Sequence, residues 1–141
     1  MRPRSAVAEW NGNLQEGDGT MSVASGAVET GYSYESRFED GAGSNPEELI
    51  AAAHAGCFSM ALASILSEAG HEPRSVRTTA RVRLEATGEG PTITRSDLET
   101  EVSVDGVEGE EFQRFAEQAK EGCAVSRALG AIELGLEARL A

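Results

Sequence analysis

Two thiols carry the strongest chemistry in this chain of 141 residues, Cys57 and Cys123. A cysteine attacks as the thiolate, so a catalytic one needs a cationic or hydrogen-bonding neighbourhood that favours the anion. Cys57 lies in NPEELIAAAHAGCFSM, where its neighbours Ala55, Gly56 and Phe58 are apolar. Taken singly, each cysteine therefore reads first as a small buried core residue. Taken together they admit a second reading, because one thiol can resolve a sulfenic acid on the other by forming a disulfide. Their separation in sequence does not say whether they meet.

The remaining candidates surround Cys57. His54 precedes it by one helical turn and invites a Cys-His hydrolase reading. On one helix the two side chains would lie side by side, and no separate acid is evident to orient the ring. The alternative is a satisfied core or interface histidine. Cys57, His54 and Cys123 also lack a fourth ligand at recognisable spacing, so no metal is expected. Arg37 closes the run YSYESRF ahead of a glycine-containing loop and would ordinarily be a solvated charge. If it reached Cys57, its guanidinium would stabilise a thiolate and bind a peroxide oxygen, with a carboxylate holding it in position. Glu47 and Glu48 read as acids complementing the positive end of a helix dipole.

Elements must position these groups. Ala6 to Trp10, Asn11-Gly12-Asn13 and Leu14-Gln15 predict a hairpin, since Asn-Gly supplies the positive φ angles of a tight turn. A second turn is expected at Glu16 to Gly19, followed by strands over Thr20 to Val28 and Tyr32 to Phe38 and a loop from Glu39 to Ser44. Asn45 or Ser44 can cap a helix over about residues 46 to 69, with Pro46 in its first turn and Gly70 ending it. That helix has no broad polar face before Ser64, Ser67 and Glu68, so most of it should be buried against a sheet or another subunit. Arg74 to Glu85 and Thr92 to Val104 predict a long hairpin with one wet face. A second helix is expected from Glu108 to Glu121, with Gly122 interrupting it and Cys123 opening the next turn, and a last strand from Ala131 to Leu140. The order βββ, α, ββ, α, β is of the α+β kind.

Composition limits the function. A chain of this length suits one domain over residues 1–141. With 24 acidic against 12 basic residues, its net charge of -12 repels phosphate backbones and anionic lipid, so no nucleic acid or membrane partner is expected. MRPRSAVAEWNG has no apolar run suited to secretion, and no later segment is expected to approach a membrane span. Two cysteines are too few for a disulfide scaffold. The expected location is the cytoplasm, where such cysteines are inert core thiols or a redox pair.

The run YSYESRFEDGAGSNPEELIAAAHAGCFSMAL, together with EGCAVSRAL and the early AEWNGNLQEGDG, closely resembles the OsmC branch of the OsmC/Ohr family of osmotically inducible and organic hydroperoxide resistance proteins. The likeness covers essentially the whole chain. It implies an OsmC-like α+β fold, with antiparallel sheets and a long buried central helix, in an intertwined homodimer with two active sites at the subunit interface. It further implies a thiol-dependent peroxidase of oxidative and osmotic stress defence, reducing organic hydroperoxides and more weakly H2O2, without flavin, metal or other cofactor. By position in the motifs, Cys57 takes the peroxidatic role and Cys123 the resolving role. Arg37 falls on the arginine that activates the thiolate, and Glu47 on the glutamate that pairs with it. The implied reductant is a dithiol such as a lipoyl group. Two positions depart from the pattern: Ala124 stands where proline is usual after the resolving cysteine, and Gly56 where alanine is common. A different class, an OsmC-fold stress or binding protein with little turnover, remains the alternative.

Helix geometry sharpens the assignment. Glu47 and Cys57 are ten residues apart, which on a straight helix is about 15 Å along the axis and a different face. Either the helix breaks, or Glu47 and Arg37 serve the cysteines of the partner subunit, and the second is expected. Phe58, Met60, Leu49 and Ile50 would favour an organic peroxide, although they could equally be plain core.

Overall fold

The N-terminal residues contain the turn chemistry that makes a small meander, and the computed structural model, which describes all of Met1–Ala141, bears this out with adjustments. Strands β1 (Ala6–Asn11), β2 (Asp18–Val23) and β3 (Glu29–Tyr32) form an antiparallel sheet in that order. The first connection is longer than a tight Asn-Gly hairpin. Asn11 still pairs with Asp18, and residues 12–17 form the loop, opened by Gly12 at φ +92°. The strand expected over Thr20 to Val28 ends at Val23, where a turn leads on to β3, and the one expected over Tyr32 to Phe38 is instead the end of β3 followed by a short helix, α1 (Tyr34–Phe38). Ser33 explains that correction. Its hydroxyl accepts the Ser36 N–H while the Ser36 hydroxyl accepts the Ser33 N–H, a reciprocal cap that stabilises a helix start over continued pleating.

Helix α2 runs unbroken over Pro46–Glu68, within a residue of expectation. Asn45 is the cap: its side-chain oxygen accepts the Glu48 N–H at 2.8 Å. Gly70, at φ +90°, ends the helix as His71 N–H returns to the Leu66 carbonyl at 2.8 Å. At 23 residues and with so few charges, α2 has the length and composition of a membrane span, contrary to the expectation that no segment approaches one. Its packing explains the resemblance. His54, Phe58, Leu62 and Leu66, spaced four apart, form a fully buried stripe, so one face of the helix serves a protein core. Within one chain burial is confined to that stripe and its flanks; Ala52, Ala53, Gly56 and Met60 are exposed.

The chain folds into two compact units, Met1–Leu49 and Ile50–Ala141. The second contains β4 (Ser75–Thr87) and β5 (Gly90–Ser103), the expected long hairpin, paired antiparallel from Ser75↔Ser103 to Thr87↔Gly90 with a bulge at Arg83/Leu84. Alternation gives β4 and β5 one core face, with Val76, Ala80, Leu98 and Val102, and one charged face on which Arg77 lies opposite Glu101 and Arg81 opposite Asp97. Helices α3 (Gly109–Gly122) and α4 (Ala124–Ala128) then carry the chain to β6 (Glu133–Leu140). β6 lies beside β5 but parallel to it, so this sheet is mixed where antiparallel pairing was expected. The intervening helices supply the crossover that a parallel pair needs and a hairpin cannot. The core joins Phe58, Leu62 and Leu66 of α2 to Leu98 and Val102 of β5 and to Phe112 and Ala119 of α3, with Cys123 at its edge.

Candidate active site

Backbone geometry puts Cys123 at a junction. It is at once the C-cap of α3 and the N-cap of α4, with φ −61° and ψ 130°, and its Sγ accepts the Ser126 N–H at 3.5 Å. Cys57, one residue before the buried stripe position Phe58, packs against the core cluster that contains Cys123 and lies close enough to act on its Sγ. Both are free thiols. Burial distinguishes them: Cys123 is 1 % exposed, whereas Cys57 is only partly buried. Burial alone would push the Cys123 thiol up. Hydrogen bonds from the Cys57 thiol and from the N–H groups and hydroxyl at the start of α4 outweigh that effect and hold it below the ordinary cysteine value.

His54 is fully buried, with Nδ1 2.7 Å from Ser96 Oγ and Nε2 2.8 Å from Ser126 Oγ. Desolvation lowers its pKa from the usual 6.5, so it is a neutral imidazole at pH 7. With a serine on each ring nitrogen and no acid, it is a satisfied core histidine and has no hydrolase geometry. Nothing in the pattern around Ser96 marks it beforehand. Ser126, by contrast, stands three residues after Cys123 within CAVS, the spacing at which a cap reaches back to a side chain.

Arg37 and Glu47 meet in the N-terminal unit. Arg37 sits in the last turn of α1, not at a strand end, and binds Glu47 through two bonds: Nε donates to Oε1 at 3.2 Å and Nη2 to Oε2 at 3.0 Å. The Glu47 side chain is 9 % exposed and that of Arg37 33 %, so the carboxylate is held inside while the guanidinium keeps an open side. The loop that fixes them is itself fixed: Ser36 Oγ donates to the Ser44 carbonyl at 2.7 Å, Asn45 Nδ2 to the Ser36 carbonyl at 2.9 Å, and the Ser44 N–H to the Gly31 carbonyl at 3.0 Å. Glu48 only accepts the Ser44 hydroxyl at 2.7 Å.

Beside Arg37 lies an open cleft of about 390 Å³ lined by Trp10, Leu14, Tyr32, Tyr34 and Phe38. Trp10 and Tyr32 meet edge to face at 5.2 Å, and the Arg37 guanidinium lies 5.4 Å from the Phe38 ring centre. Gly19 makes this possible, since a Cβ there would strike both the Trp10 and Tyr32 rings. These aromatic residues were not singled out from the sequence. Of the apolar residues that were, Phe58 is fully buried core and Met60 is 76 % exposed.

Comparison with known proteins identifies the family and the fold. Residues 39–137 match the family model described as OsmC-like protein. The chain is 46 % identical over 138 residues to Peroxiredoxin OsmC of Escherichia coli strain K12, covering 97 % of this chain and 96 % of that protein. Among solved structures, the organic hydroperoxide resistance protein OhrB of Bacillus subtilis superposes with a TM-score of 0.75 at 24 % identity, covering 95 % of this chain and 97 % of that one. An OsmC-like protein of Vibrio cholerae gives 0.77 at 19 %, covering 98 % and 99 %. At these identities the two structures speak for the fold.

Proposed function

As a member of the OsmC-like protein family, the chain carries a thiol pair and an arginine-carboxylate pair, and we propose that it uses them to reduce organic hydroperoxides. It is a thiol-dependent peroxidase of the peroxiredoxin type. The observation that carries the reading is the sulfur pair itself: two free cysteines from distant segments packed in one cluster and close enough to act on each other, one partly exposed and one buried.

In the mechanism the partly exposed Cys57 is the peroxidatic residue. Its thiolate attacks the distal oxygen of ROOH, the O–O bond breaks, the alkoxide leaves as ROH after protonation, and Cys57 becomes a sulfenic acid. The buried Cys123 then attacks that sulfur. An S–S bond forms, the S–O bond breaks, and hydroxide leaves as water after protonation. A dithiol, a lipoyl group being the best fit, reopens the disulfide by exchange and leaves as its own disulfide. No bound cofactor enters the scheme.

Arg37 contributes the charge. Two carboxylate bonds hold its guanidinium, and its open side would accept both the Cys57 thiolate and a peroxide oxygen. Because α2 is unbroken, Glu47 lies about 15 Å along the axis from Cys57 on the same helix, so the arginine serving a given thiol pair is assigned to the partner subunit of a homodimer. The exposed small residues of α2, Ala52, Ala53 and Gly56, suit close approach of a second copy. The aromatic cleft beside Arg37 would receive the organic substituent of the peroxide, favouring it over H2O2. Residues 1–141 work as one domain in this scheme, in the reducing cytoplasm.

The test follows consumption of cumene hydroperoxide with dihydrolipoamide or dithiothreitol. Cys57→Ser should abolish turnover, and Cys123→Ser should permit one round that ends at a sulfenic acid. Unchanged turnover in Cys57→Ser would overturn the mechanism, and trace turnover in the wild type would favour a stress-associated binding role.

A further inference from the structure

His54 is a buried titratable group that the mechanism above leaves unused, and its surroundings give it a task. We propose that His54 is a positioning residue for the resolving step: it aims the Ser126 hydroxyl at Cys123 Sγ through a chain of hydrogen bonds between neutral groups, holding Cys123 ready to condense with the Cys57 sulfenic acid.

The chain of contacts is continuous. Ser96 Oγ, in the middle of β5, lies 2.7 Å from His54 Nδ1; His54 Nε2 lies 2.8 Å from Ser126 Oγ; and Ser126 donates its N–H to Cys123 Sγ at 3.5 Å, with its hydroxyl close enough to act on the same sulfur. Ser96 and His54 are fully buried and Ser126 is 3 % exposed, so water does not compete for these bonds. A neutral imidazole has one donor and one acceptor, which leaves two arrangements. If Nδ1–H donates to Ser96, Nε2 must accept the Ser126 hydroxyl proton, and that hydroxyl turns away from sulfur. If Ser96 donates to Nδ1, then Nε2–H donates to Ser126 Oγ and the hydroxyl proton is directed at Cys123 Sγ. Only the second arrangement gives the thiolate two donors from Ser126. Both arrangements leave the imidazole uncharged, which suits a ring whose burial disfavours the cation.

The other groups facing Cys123 are accounted for. Within the chain the titratable one is Cys57, which donates its S–H to the same sulfur, and no charged side chain acts on Cys123. In the proposed dimer, Arg37 of the partner subunit faces the pair. During resolution the Cys57 S–H is gone, because that sulfur now carries the hydroxyl that must leave. The Ser126 donors then remain to hold the Cys123 thiolate, and His54 fixes one of them. His54 therefore acts on disulfide formation and leaves the attack on peroxide nearly untouched.

The inference rests on the reading of Cys123 as the resolving cysteine, and the test separates the two. In a Cys57→Ser background, Cys123 is the sole thiol, and the pH dependence of its thiolate ultraviolet absorbance reads its ionisation without any turnover or reagent access. Ser126→Ala and His54→Leu should each move the midpoint upward by about one pH unit, about a tenfold loss of thiolate, since a hydrogen bond to a charged group is worth roughly that much. His54→Gln, which offers an amide N–H and a carbonyl in place of the ring nitrogens, should recover much of the shift. In the two-cysteine protein, one equivalent of cumene hydroperoxide should be consumed at the normal rate in Ser126→Ala, while disulfide forms about tenfold more slowly and dimedone traps more sulfenic acid. An unshifted Cys123 titration in folded Ser126→Ala overturns the proposal, as does equal slowing of peroxide consumption. If His54→Leu fails to fold, Ser126→Ala, which only removes one oxygen, decides alone. Failure of the wild type to form a Cys57–Cys123 disulfide would instead sink the two-cysteine mechanism, with the titration still reporting on His54.

Discussion

Replacing Glu47 by Gln removes one charge and changes almost no volume, so it isolates what the carboxylate does for Arg37. Glu47 now accepts from Nε at 3.2 Å and from Nη2 at 3.0 Å. In Glu47→Gln one carboxylate oxygen becomes an NH2 group, which cannot accept from the guanidinium, and the other becomes a neutral acceptor. One charge-assisted bond is lost and the second weakened. Such a bond contributes about 1.5–3 kcal/mol, and the lower end applies because the 33 % exposed Arg37 side chain can recruit water. If the guanidinium acts on the peroxide in the transition state, about 1.5–2 kcal/mol becomes a fall of roughly ten- to thirtyfold in kcat/KM. Stability should drop by less, about 1 kcal/mol, since hydration compensates in the folded ground state. The assay is steady-state reduction of cumene hydroperoxide at saturating dihydrolipoamide, paired with urea unfolding. Glu48→Gln is the control: that carboxylate bonds only the Ser44 hydroxyl, and its variant should match the wild type. A Glu47→Gln enzyme within about twofold of wild type would refute the activating role of the ion pair, the expected loss being at least one decade.

Two further outcomes follow from local geometry. Ala124 is the first residue of α4, and the φ −61° and ψ 130° of Cys123 before it are compatible with a following proline, so Ala124→Pro should stabilise the reduced protein by about 0.4–1 kcal/mol in thermal unfolding; a lowered Tm would show that the turn needs its present freedom. Burial holds His54 below its ordinary value of 6.5, so the unfolded chain binds a proton that the folded chain refuses, and stability should be full above about pH 6.5 and fall as pH drops below it. The urea midpoint should therefore decline between about pH 7.5 and about pH 5.5 in the wild type and decline less in His54→Gln, an equal decline assigning the effect to other groups.

Periodicity made the second unit legible. The alternation of Arg77, Arg81 and Arg83 with Val76, Ala80 and Val82 fixes which face of β4 is wet, and the Asn45-Pro46-Glu47 start and Gly70 stop bound α2 to within a residue. Where the reading failed, a short-range polar bond or a distant partner decided. YSYESRF alternates well enough for a strand, yet two serine hydroxyls close a five-residue helix. The direction of β6 depends on how α3 and α4 return the chain, which no local pattern encodes. At the site, the motif likeness marked Cys57, Cys123, Arg37 and Glu47, and each pair meets within its own unit. The Ser96–His54–Ser126 chain was invisible, because an isolated serine in a strand looks the same whether it faces water or a buried imidazole. So was the aromatic cleft, whose walls come from β1, β3, α1 and the loop after β1.

The burial of Cys123 has a consequence for selectivity in time. With 1 % of its surface open, this sulfur meets almost nothing that diffuses in the cell, so the electrophile offered to it is whatever its neighbour Cys57 has become. In the proposed mechanism such a thiol is shielded at the α3–α4 junction from stray disulfides and alkylating metabolites, and is spent on the adjacent sulfur once an oxygen atom arrives there.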